Sequence, residues 1–234
     1  MDVDPLDKVK SANFDHKISN HLYNLIIKRF SIVKEGIKHI ESITNIKFPY
    51  FYIEPNLIVS YSQIEFSEYG ILYARTIPIV DIEGKLDIVV QISAPLIAYG
   101  QKSSIFAILG HEFLHYLHFL SKITRMEIVS DDRIDSIYQG IYEDMTHLLD
   151  ANIVFGNDNT FLRNIIEKFE YGFNDTSLQN KVIQQWIKEG LPITKLTIKD
   201  NNIKIPIKSI MNFSINSDLK EKLAILDNAI IDNK

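Results

Sequence analysis

Between residues 18 and 43 apolar side chains return at helical spacing: Leu22, Leu25, Ile26, Phe30, Val33, Ile37 and Ile40. That period predicts one long amphipathic helix with a single buried face. Pro49 marks a change of period. Tyr50-Phe51-Tyr52-Ile53, Leu57 to Tyr61 and Gly70 to Val80 are rich in aromatic and β-branched residues, as strands are. Asp81-Ile82-Glu83-Gly84-Lys85 has turn chemistry, so Leu86 to Ser93 reads as the second arm of a hairpin. Ser103-Ser104 offers the cap of a helix running through Leu120, and another helix is expected from about Ser130-Asp131 to Ile153.

Gly156-Asn157-Asp158-Asn159 is the strongest break in the chain. It divides an expected core, residues 1–156, from a C-terminal, mostly helical subdomain, residues 157–234, packed on that core. In the second part helices are expected over about 160–171, 176–189 and 217–231. Gly190-Leu191-Pro192 stops the second of them, Asp200-Asn201-Asn202 turns, and Ile203 to Ile207 reads as a short strand.

Composition narrows the classes. With 46 % hydrophobic and 24 % charged residues the chain is of ordinary globular make-up. Cys is absent, which removes disulfides, thiolate-held metals and a thiol nucleophile, and points to a reducing compartment. The formal charge of −5 has no basic concentration behind it: residues 1–156 hold 14 Lys and Arg against 20 Asp and Glu. A nucleic-acid partner is therefore not expected. The acidic start lacks the charge and apolar run of a signal peptide, and no apolar run is long enough to cross a bilayer. The expectation is a cytoplasmic protein without a membrane partner; nothing in the sequence fixes an oligomeric state.

The segment Gly110-His111-Glu112-Phe113-Leu114-His115 contains H-E-x-x-H. On a helix His111 and His115 share a face about one turn apart, so both imidazoles can reach one Zn²⁺. Glu112 points about 100° round the axis, free to hydrogen-bond a metal-bound water instead of competing as a ligand. Outside the motif every residue from Ile105 to Leu120 is uncharged, as a buried active-site helix requires. A plain core helix would bury the His-Glu-His trio with nothing to offset its desolvation.

The segment resembles the active-site helix of the zincin metallopeptidases, and within them the small gluzincins. The resemblance spans roughly residues 18–153 and implies an α+β fold. A zincin-like core would combine the long N-terminal helix, a mixed sheet with a hairpin, the active-site helix and a following helix carrying a Glu. It also implies hydrolysis of a peptide or protein substrate, one Zn²⁺ per chain on His111 and His115, and Glu112 as general base. The strand Leu86 to Ser93 would then be the sheet edge on which an extended substrate pairs.

His118 is not expected to be the third ligand. On a straight helix it lies roughly 10 Å along the axis from His111, and no Gly follows His115 to break the helix. The gluzincin arrangement takes a Glu from the next helix, leaving Glu127 and Glu143. Glu127 sits in Glu127-Ile128-Val129-Ser130-Asp131 but demands a very tight helical hairpin. Glu143, with Gly140 one turn earlier to permit close approach, is favoured. His147 stands where gluzincins often place an Asp. Tyr138, Tyr142 and His147 could each hold an oxyanion. The alternative from another class is a catalytically silent zincin-fold scaffold or protein-interaction module, for which an intact Glu112 would be superfluous.

Overall fold

The computed structural model describes residues 4–60, 70–125, 150–170, 172–196 and 205–232. It is an α+β protein with two small mixed sheets and helices around one continuous apolar core. Among the described residues no helix is long and apolar enough to cross a membrane. The expected helix over 131–149, with Glu143 and the oxyanion candidates, lies outside the described residues, as do Glu127 and the turn at 200–202.

A short helix α1 (Asp7–Phe14), unheralded in the sequence, leads into α2 (Asn20–Thr44), the long amphipathic helix. Ser19 caps α2 by accepting from Leu22 N–H at 3.2 Å, and Asn45 ends it in the left-handed region at φ 52°. The predicted face is the buried one, with Leu22, Ile26, Phe30, Val33, Ile37 and Ile40 all in the core.

The strands divide between two sheets. β1 (Tyr50–Glu54), β4 (Ala74–Val80) and β5 (Leu86–Ser93) form one, in the order β1-β5-β4, with β1 parallel and β4 antiparallel to β5. β2 (Leu57–Ser60), β3 (Gly70–Leu72) and β6 (Ile193–Leu196) form the other, in the order β3-β2-β6.

The stretch Gly70 to Val80, expected as one strand, is thus two. Up to Leu72 the chain pairs with β2, and from Ala74 it pairs with β5. Tyr73, at the change of partner, accepts from Ser93 N–H at 2.9 Å. The hairpin itself is as expected, with Asp81 Oδ1 accepting from the N–H groups of Glu83 and Lys85 and Gly84 at φ 80°.

β5 is the centre of its sheet, not an edge, which corrects its assignment as the substrate-pairing strand. Only Asp87 along it is exposed, the burial of a strand covered on both faces. Among the described residues the free edge on the hairpin side belongs to β4. Pro78 lies in β4, where an edge tolerates its missing N–H.

Helix α3 (Ala94–Tyr99) follows β5, and α4 (Lys102–Thr124) follows at once. Gln101, not Ser103 or Ser104, stands at the N-cap of α4; the Ser104 hydroxyl instead donates to Asp175. Arg29 on α2 fixes the approach to α4 by donating to the carbonyls of Ile97 and Gly100. Asp150 leaves helical geometry and caps a separate short helix, α5 (Ala151–Phe155), so the helix expected to run to Ile153 does not pass through residue 150.

The segment after 156 packs on α4 through α6 (Asn159–Phe169), whose N-cap Asp158 accepts from Thr160 and Phe161 N–H. α7 (Thr176–Val182) widens into a π-helical turn over Ile183–Ile187 around buried Trp186. Gly190, at φ 68°, then releases the chain into β6, which adds to β2 in parallel. The strand expected at Ile203–Ile207 is not formed at its described end. Pro206 instead caps α8 (Ile207–Met211), before α9 (Ser217–Asp232).

Candidate metal centre and its acid

α4 carries the site, and glycine decides how closely its neighbours sit. A Cβ on Gly110 would lie 2.5 Å from Ile165 Cδ1 and 3.0 Å from Phe161 Cζ, both on α6. A Cβ on Gly36 of α2 would lie 2.8 Å from Leu109 Cδ1. Without side chains there, α2 and α6 clasp α4 next to the motif.

That clasp sets the histidines. The His111 ring lies flat on Phe169 of α6, with centroids 3.8 Å apart and planes within 6°. The His115 ring stands perpendicular to it, and the two Nε2 atoms face each other at 2.9 Å. Burial pulls the His111 pKa down to about 3. Burial, reinforced by the nearness of the His111 and half-buried His118 rings, whose protonation would compete with its own, holds His115 well below its ordinary value. Both rings are therefore neutral across the physiological range, as a nitrogen ligand must be.

The fit to zinc follows from this geometry. Two nitrogens held tetrahedrally at 2.0–2.1 Å from one ion stand about 3.3 Å apart. The two Nε2 atoms share a hydrogen bond at 2.9 Å, a separation that a zinc ion replacing its proton would widen by only a few tenths of an ångström. The other ring nitrogens, His111 Nδ1 and His115 Nδ1, are buried with no hydrogen-bond partner. A ligating His usually donates that N–H to a carboxylate or carbonyl; here stacking on Phe169 orients His111 instead. Among the described residues no third His, Asp or Glu joins the pair.

Glu112 is turned away from water, only 5 % exposed, and held by an element the motif does not announce. Thr76 of β4 donates to its Oε2 at 2.8 Å and lies 3.0 Å from its carbonyl oxygen. Burial pushes the Glu112 carboxyl up to about 7, against the pull of the Thr76 hydrogen bond and the Arg75 charge. A carboxyl titrating near neutrality can both take up and release a proton at working pH.

His111, Glu112 and His115 lie on one helix, as their spacing predicts, while Glu143 and its rival Glu127 lie outside the described residues. That spacing misses Thr76 and Phe169. Neither carries a local signal, since each acts only through a packing partner distant in sequence. No protein-family model, curated protein or solved structure matches the chain.

Proposed function

We propose that this protein is a zinc-dependent peptidase of the gluzincin kind, with His111 and His115 as metal ligands, Glu143 completing the set and Glu112 as general base. The single observation carrying the reading is the pair of neutral imidazoles with Nε2 atoms 2.9 Å apart, on the helix that also carries a carboxyl pushed up to about 7.

Zinc, when bound, supplies Lewis acidity to water and to a substrate carbonyl. The protein's own part is proton handling and placement. The Glu112 carboxylate accepts a proton as the water oxygen bonds to the peptide carbon, then gives it to the amide nitrogen as the C–N bond breaks. Thr76 occupies Oε2, leaving Oε1 for the proton in transit. Among the described residues β4, the strand of Thr76, is an edge strand, and that edge offers main-chain partners to an extended peptide.

The test is zinc analysis of protein purified without added metal, followed by a cleavage assay on mixed peptides. About one zinc per chain is expected, lost in His111→Ala. Glu112→Gln is expected to keep zinc and lose cleavage. A folded protein that carries no zinc and binds none on titration overturns the reading; a zinc-loaded protein that cleaves nothing favours the silent scaffold.

A further inference from the structure

Thr76 and its neighbour Arg75 project to opposite faces of β4. Thr76 points to α4 and Glu112, while Arg75 points to the other face, in register with Gln91 of β5 and Tyr52 of β1. Gln91 is only 4 % exposed and works as a spacer. Its Oε1 accepts from Arg75 Nε, and its amide donates to Glu54 Oε2 at 2.9 Å.

Glu54 is already neutralised: Lys8 pairs with the same oxygen at 3.1 Å while its ammonium rests 4.1 Å over the Tyr52 ring. The row Lys8–Glu54–Gln91–Arg75 therefore leaves one positive charge over, on Arg75. Among the described residues Arg75 has no ion-pair partner, and its only hydrogen bond uses Nε. Both terminal Nη groups remain for a ligand, on a half-buried side chain of the edge strand that the buried Gln91 amide of β5 holds over the face of the sheet.

We infer that Arg75 is a specificity-determining residue that binds a carboxylate on an extended peptide paired to β4. This rests on the reading of β4 as the docking edge. A residue directly opposite Arg75 has its Cβ about 5 Å away and projects to the same face. An acidic side chain there meets the guanidinium fork, the geometry Arg favours with carboxylates. The next residue of the peptide faces Thr76 and Glu112. The preferred substrate is thus a peptide with Asp or Glu adjacent to the residue presented to the base.

The probe is a series of blocked decapeptide pools, each random except for one position held as Glu or as Gln. Binding is read by fluorescence anisotropy on full-length Glu112→Gln protein. For one position, with weaker echoes two residues away, the Glu pool is expected to bind about tenfold tighter than its Gln partner, the size of a hydrogen bond to a charged group. Adding Arg75→Gln removes the preference. Arg75→Lys keeps the charge but loses most of the preference, and Gln91→Leu, which frees the guanidinium from its spacer, weakens it. Equal binding of Glu and Gln pools, no binding by any pool, or a preference surviving in Arg75→Gln overturns the assignment. If the wild type cleaves the pools without acidic preference, hydrolysis stands and Arg75 falls. If it binds with preference but never cleaves, the reverse holds.

Discussion

Replacing Glu112 by Gln in metal-free protein isolates what it costs to bury this carboxyl. In the folded chain Glu112 titrates near 7, against an ordinary value of 4.5, with burial as the main cause. The proton is therefore held more tightly folded than unfolded. Its contribution to stability is full below about pH 4.5 and is lost as pH rises through 7. At about 1.36 kcal/mol per pH unit, that interval is worth about 3 kcal/mol. Gln keeps the size and an acceptor for Thr76 but does not titrate. The stability of Glu112→Gln relative to wild type is then expected to rise by about 3 kcal/mol between pH 4.5 and pH 8. Urea unfolding with chelator present, at four or five pH values, measures it. The histidines titrate alike in both proteins and cancel from the difference. A difference flat with pH would mean that Glu112 is solvated, and the argument for a poised base would go with it.

The remaining expectations concern the ligands and the clasp. Wild-type metal-free protein should lose stability as pH falls from 6.5 toward 3, by about 1.4 kcal/mol per pH unit from His111, because only the unfolded chain takes the proton. In His111→Gln, followed by urea unfolding, that slope should shrink. Glu143→Ala should weaken zinc binding more than ~10-fold and Glu127→Ala hardly at all, by competition with a chelator; the opposite ranking makes Glu127 the ligand. Gly110→Ala, which raises helix propensity on an exposed helix, should here cost about 1–2 kcal/mol because its methyl meets Ile165 at 2.5 Å. Thermal melting checks this, and an increase in Tm would show that α6 yields freely.

Local signals were legible and long-range ones were not. The α2 face, the hairpin turn at Asp81–Gly84 and the motif helix are written in spacing and cap chemistry, and they appear within a few residues of expectation. The exchange of partners at Tyr73 left no local trace, since both halves of Gly70 to Val80 are equally strand-like and only the tertiary fold decides what each pairs with. β5 could have been placed better: an apolar run interrupted only by Asp87 and Gln91 describes a strand buried on both faces, not an edge. Ile203 to Ile207 alternates like a strand, yet Pro206 serves as a helix cap. At the site, H-E-x-x-H named three residues, while Thr76 was silent because its role depends on β4 crossing α4.

The arrangement of α4 between α2 and α6 orders events during synthesis. When residue 125 leaves the ribosome the motif is complete in sequence but not in surroundings. Phe161, Ile165 and Phe169 do not yet exist, and β2 awaits Ile193 to Leu196 for its parallel neighbour. At 5–20 residues per second this interval lasts several seconds. Throughout it one flank of a highly apolar helix and one strand edge stand open, the surfaces that chaperones engage and that aggregate when crowded. The His111 ring gains its stacking partner only after residue 169. The nascent chain is thus translated well past its motif before that motif can be assembled.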